Sequence, residues 1–345
     1  MIFFNHSVIG APANNVIQTC SDKTKDFNDT YPHSRPVIIN RCTVKYRLAI
    51  ISDLDSKSKS CMQDCTWISY MKKGYLIYKI DDGTTEFEWD EGEDIALKSN
   101  LAVNGRGMEL SELVTYDGRL LTFDDKTGII YEMHDDHSLS KWVVVTGGDG
   151  KSSKAFKLEW ATVKDKKLYV GTHGRELKQP NSDKLDYSGM WIKVIDSERN
   201  VEHVDWIENY KKLQAKLGIS YPGYLIHESC VWSSVNQKYF FLPRKASHGQ
   251  YDCKVDETNS TNILLSASPD FEDIKVVRIG EIIPTRGYSS FKFVPGTDES
   301  LIVAIKSEEV GETTGTFISV FTIDGKIIYE ETQVSNRKFE GIEFV

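Results

Sequence analysis

The feature that most constrains this chain is a long series of short apolar runs, each closed by turn-forming residues. Leu113-Val114-Thr115-Tyr116 and Arg119-Leu120-Leu121-Thr122-Phe123 flank an Asp117-Gly118 pair. That pair favours the positive φ angles that a tight hairpin turn demands. Tyr46–Asp53, Gly74–Ile80, Lys167–Gly171 and Ile318–Ile323 repeat the theme. One segment breaks it: Trp206, Tyr210, Leu213 and Leu217 recur at helical spacing, and Gly218 follows, which predicts a single helix from Asp205 to about Leu217. An all-β chain of 345 residues with many hairpins points to a propeller or a large sandwich. Blades of roughly 40–60 residues would divide the patterned part into about five or six, and the repeat is too degenerate to choose between them. The polar, turn-rich stretch before Val44 reads as an irregular N-terminal arm, residues 1–43, and residues 44–345 as the propeller.

Charge narrows the function. A net charge of −9 argues against a nucleic-acid partner, which would want a basic face. It leaves room for a small anion, because a bound divalent cation inverts the local field. No run approaches the roughly 20 apolar residues of a membrane helix. Met1-Ile2-Phe3-Phe4 is followed at once by polar residues, so no intact signal peptide is visible. The cysteines are Cys20, Cys42, Cys61, Cys65, Cys230 and Cys253, an even count that fits disulfides or free thiols better than a zinc site, since no second ligand pair follows Cys61 and Cys65 at suitable spacing. Sequons begin at Asn5, Asn28 and Asn259 and lend modest weight to a secreted or luminal glycoprotein.

Several strings are unusually polar for strand ends. Asp53 and Asp55 close the apolar run Tyr46–Ser52, either as turn caps or as carboxylates facing a ligand at a channel mouth. In Gly105-Arg106-Gly107-Met108-Glu109 two glycines flank an arginine whose planar fork matches phosphate oxygens, although such strings also mark ordinary loops. Asp124-Asp125-Lys126-Thr127-Gly128 is a good turn by composition. Glu159, Glu228 and Glu340 lie among apolar or aromatic neighbours, where a carboxylate is costly unless paired or bound to a cation. With Ser111 and Ser289 they make five oxygen-bearing positions roughly 50–70 residues apart, close to one per blade. If each lies on an innermost strand, five oxygens converge on the channel axis, and calcium takes six to eight oxygen ligands. The alternative is that the five are unrelated strand residues.

At these same positions the sequence resembles the calcium-activated nucleotidase family, which includes the Cimex-type apyrases. The strings that carry the resemblance are Tyr46–Asp55, Met71–Leu76, Gly105–Ser111, Lys157–Trp160, Pro222–Ser229, Phe241–Arg244, Leu265–Phe271, Ser289–Phe293 and Glu340–Phe344, in order from about Val44 to Val345. Membership implies a five-bladed β-propeller with one calcium ion in the central tunnel, held by Ser111, Glu159, Glu228, Ser289 and Glu340. It implies essential carboxylates at Asp53 and Asp125. The expected substrates are nucleoside di- and triphosphates (ADP, ATP, UDP, GDP), cleaved to the monophosphate and inorganic phosphate. Arg106, Glu109, Lys157 and Arg244 are then the candidate substrate-binding residues. A homodimer is left open. Two other readings are a non-catalytic calcium-binding propeller with a protein partner, and a calcium-dependent lactonase or esterase. The latter would want a histidine relay at the tunnel, for which only His227, beside Glu228, offers itself.

Overall fold

A computed structural model of the protein describes residues 26–179 and 182–345. The short apolar runs become antiparallel strands gathered into five small sheets around a central channel, so the chain is a five-bladed β-propeller. Blade 2 is Leu110–Tyr116, Arg119–Asp124, Ile129–Met133 and Leu139–Val144. Blade 3 is Trp160–Lys164, Lys167–Gly171, Trp191–Ile195 and Val201–Asp205. Blade 4 is Tyr224–Ser233, Lys238–Ser247, Ile263–Ala267 and Ile274–Arg278, and blade 5 is Arg286–Phe293, Leu301–Val310, Thr313–Thr322 and Ile327–Ser335.

Blade 1 joins the two ends of the propeller. Thr43–Ser52 pairs with Trp67–Lys79 on one side and with the last strand of the chain, Phe339–Phe344, on the other. The C-terminal strand is thereby the innermost of the first blade, and the ring is closed by backbone hydrogen bonds instead of a loop. Leu110–Tyr116, Trp160–Lys164, Tyr224–Ser233, Arg286–Phe293 and Phe339–Phe344 each lie against the next around the channel. Gly341 shows how close that approach is: a Cβ there would lie 2.7 Å from the Glu112 backbone of the neighbouring inner strand.

Apolar faces of adjacent blades supply the core. Between blades 3 and 4, Trp160, Tyr239, Phe241 and Phe271 pack around Trp206, whose ring meets that of Phe271 at 5.2 Å edge to face. The helix spans Ile207–Lys216 and buries Tyr210 and Leu213 in that same cluster, as its periodicity requires. Gly218 follows at φ 69°, where a side chain would be strained. The Asp117-Gly118 turn takes φ of 47° and 71°, as a two-residue hairpin demands.

Part of the stretch read as an irregular arm is ordered on the propeller. Val37–Asn40 pairs with the first long strand as an edge strand. Asn28 N–H donates to Asp117 Oδ1 at 2.8 Å, and Tyr31 Oη to Glu343 Oε1 at 2.9 Å. Cys42, Cys61, Cys65, Cys230 and Cys253 are all free thiols, and Cys20 lies outside the described residues.

Candidate active site in the channel

Breaks in strand pairing position the five oxygen-bearing residues. Ser111 falls at the register shift between Leu110 and Glu112, and Ser289 at the one between Tyr288 and Ser290. Glu228 lies in the break between His227 and Cys230. Glu340 is the residue skipped where the pairing passes from Gly341 to Phe339. An extra, unpaired residue in an inner strand bends it locally and re-aims the side chain. Glu159 stands one residue ahead of its strand, tied by its N–H to Gly171 O at 2.9 Å.

The three glutamates meet through shared cations. Arg244 Nη1 bonds to Glu228 and lies 2.6 Å from Glu340 Oε1. His173 Nε2 lies 2.8 Å from Glu159 Oε1 and 3.3 Å from Glu228 Oε1. Lys157 Nζ lies 2.6 Å from Asp125 Oδ2 and bonds to Glu159 as well. Lys338 completes the ring, with Nζ 3.2 Å from Asp53 Oδ2, bonded to Asp55, and 3.6 Å from Glu340 Oε1. These groups line one cavity of about 310 Å³, with Arg175, Lys245 and Tyr251 among its other walls.

The electrostatics separate the carboxylates into two kinds. Burial pushes the Asp125 carboxyl up to about 7, against the pull of Lys157. Burial likewise lifts Asp53 well above the usual carboxylate range, against the pull of Lys338. In Glu159 burial acts the same way, but His173 and Lys157 outweigh it and hold the carboxyl below its ordinary value. Glu228 is also held low, with Arg244 and His173 overcoming burial. Two carboxyls whose proton affinity burial raises, Asp125 and Asp53, thus stand beside two that neighbouring cations keep ionised, Glu159 and Glu228.

Not every expected residue reaches the cavity. Arg106 spends its guanidinium on Glu109, with Nε 2.7 Å from Oε1, and on Asp55 Oδ1 at 3.2 Å. Glu109 nevertheless has a carboxylate oxygen within 4.8 Å of oxygens of Asp53 and Asp125. Ser111 and Ser289 are buried at the bulges, and neither hydrogen-bonds to the glutamates among the described residues. His227 is not at the site: it is fully buried against Tyr210 and Phe241, and burial lowers its pKa to about 3. His173, Lys338 and Arg175 went unmarked in the sequence. His173 follows the strand Lys167–Gly171 by two residues, and Lys338 precedes the last strand by one, so only their place at strand ends could have flagged them.

The residues fit a hard cation. All five expected donors are oxygens, the three carboxylates are buried, and the buried Ser111 hydroxyl has no hydrogen-bond partner. A second group of acidic oxygens, from Asp53, Glu109 and Asp125, lies beside them.

The apyrase family profile matches residues 54–345. A Rattus norvegicus protein named soluble calcium-activated nucleotidase 1 is 44% identical over 326 residues, covering 94% of this chain and 79% of that one. The apyrase of Cimex lectularius is 40% identical over 319 residues, covering 92% and 87%. Apyrase apy-1 of Caenorhabditis elegans is 38% identical over 303 residues, covering 87% and 84%.

Proposed function

The chain belongs to the apyrase family and is a hydrolase acting on nucleoside phosphates, and from that premise we propose that it is a calcium-dependent enzyme that cleaves nucleoside di- and triphosphates, ADP, ATP, UDP and GDP among them, to the monophosphate and inorganic phosphate. One observation carries the reading: a single cavity at the channel gathers Lys157, Arg244 and Lys338 against Asp53, Asp125, Glu159, Glu228 and Glu340. Cations for a polyphosphate and carboxylates for a metal and a water are interleaved there.

Ser111, Glu159, Glu228, Ser289 and Glu340 would hold the calcium. When bound, it would neutralise phosphate charge and polarise the phosphoryl group. Lys157 leaves 49% of its side chain open to the cavity while its ammonium stays among carboxylates, so it can turn toward phosphate oxygens without losing its position. Arg244 is the deeper cation, and its fork offers the bidentate geometry phosphate prefers. Asp125, with a pKa near neutrality, accepts the proton of the attacking water, and Asp53 orients that water. Arg106 fixes Glu109 beside both. No covalent intermediate is required.

A secreted or luminal location fits this reading. The Asn28 sequon is exposed, whereas the Asn259 side chain is engaged with Tyr224 Oη at 2.9 Å and its sequon partners are buried. No described helix is long and apolar enough to cross a membrane. Chromatography of the products tests the reaction assignment. ADP should give AMP and phosphate in equal amounts; adenosine, or no product from any nucleotide, would refute it.

A further inference from the structure

Charged side chains dominate the lining of the cavity, but one wall carries an aromatic ring. Tyr251 lines the cavity and keeps 41% of its surface open. The Arg175 guanidinium lies 4.1 Å from the centre of that ring, and Tyr224 meets it edge to face at 5.4 Å. Arg175 makes no ion pair or hydrogen bond among the described residues, although Asp256 and Glu257 line the same cavity. An arginine that stacks on a tyrosine in a carboxylate-lined cavity, instead of pairing with a carboxylate, keeps its other face and its donors for a ligand.

The segment that presents the ring is well anchored. Asp252 Oδ1 accepts from the N–H groups of Lys254 and Val255 at 3.0 and 3.1 Å. Tyr224 Oη donates to Asp256 Oδ1 at 2.5 Å, and Lys245 Nζ donates to Asp256 O at 2.8 Å. Tyr251 is therefore a pre-set surface, which lowers the ordering cost of stacking on it. Lys157 lines the same cavity, so the ring and the candidate phosphate-binding ammonium share one space.

We propose that Tyr251, backed by Arg175, is the platform on which the substrate's nucleobase stacks while its phosphates reach inward to Lys157, Arg244 and Lys338. The inference rests on the nucleotidase reading of the same cavity. Every base has a π-face, so stacking binds purines and pyrimidines alike. Among the described residues that line the cavity, Tyr251 is the only phenylalanine, tyrosine or tryptophan. The expected consequence is an enzyme that gains affinity from the base while discriminating weakly among bases.

The test compares the unmodified chain with Tyr251→Ala and Tyr251→Phe, in calcium, using ADP and base-free inorganic pyrophosphate. Hydrolysis of ADP is followed, and binding is measured by calorimetry with the methylene-bridged, uncleavable analogues of ADP and pyrophosphate standing in for the two ligands. Tyr251→Ala should raise the KM and Kd for ADP about tenfold. Its Kd for pyrophosphate should stay within about twofold, and Tyr251→Phe should match the unmodified chain on both. An unchanged ADP affinity in Tyr251→Ala would overturn the platform. So would parallel losses for ADP and pyrophosphate, which would mark a collapsed phosphate site. If the unmodified chain does not hydrolyse ADP, the nucleotidase reading fails, and the two Kd values still decide whether Tyr251 holds a base.

Discussion

Lys157 Nζ lies 2.6 Å from Asp125 Oδ2 while also bonding to Glu159, so one ammonium ties the carboxylate nearest neutrality to a carboxylate of the proposed calcium set. In the proposed mechanism this ammonium couples water activation to metal binding. Asp125 Oδ1 is buried and unpartnered, which leaves one oxygen of that carboxylate for a water.

Asp125→Asn should lower kcat by about 10²–10⁴, the usual worth of a general base, with little change in KM. The pH profile gives the sharper check. The base works only when deprotonated, so kcat/KM should fall as pH drops through about 7. The residual activity of Asp125→Asn should lack that limb. A variant with full kcat would remove Asp125 from the mechanism.

Glu228→Gln should raise the calcium concentration for half-activation on the order of tenfold or more, because it removes a charged oxygen from the donor set. Terbium or calcium titration of the purified variant reads this directly. Unaltered calcium dependence would contradict the assignment of Glu228.

Gly341→Ala should destabilise the fold by about 1–3 kcal/mol, since its methyl would press on the Glu112 backbone across the blade closure. Thermal unfolding should show Tm lowered by a few degrees. No shift would mean that the inner strands have slack.

Lys193 offers a test of the blade 3 interior, remote from catalysis. It is fully buried, with Nζ 2.8 Å from His203 Nδ1 and bonded to Gly148 O, and burial pulls its pKa down to about 8, opposed by Asp149. Its unfolded value is about 10.4, so between about 8 and 10.4 the unfolded chain binds more protons than the folded one, and stability rises with pH. The rise amounts to at most about 3 kcal/mol. Denaturant unfolding from pH 8 to 10 should show it, and Lys193→Met should flatten the slope whatever its effect on the level.

Local pattern carried much of the fold. The Asp117-Gly118 hairpin, the run Tyr46–Ser52 and the helix at Ile207–Lys216 obey short-range rules of turn chemistry and periodicity, which a sequence displays directly. Blade number did not emerge from pattern, because a blade is defined by which strands face the channel, and only the resemblance supplied five. Glu159, Glu228 and Glu340 stood out as carboxylates in apolar company. His173 and Lys338 did not, since each sits in a locally ordinary string and gains meaning only when blades 3, 4 and 1 converge. Arg106 shows the converse: a loop rich in ligand-like residues turned its guanidinium to Glu109 and Asp55 instead of the cavity.

The most direct measurement is phosphate release from ADP by the purified protein in millimolar calcium, then in magnesium alone, then with a chelator. Hydrolysis in calcium is expected to collapse in magnesium or chelator and to return when calcium is restored. Equal rates in all three conditions would contradict a calcium site built from Ser111, Glu159, Glu228, Ser289 and Glu340.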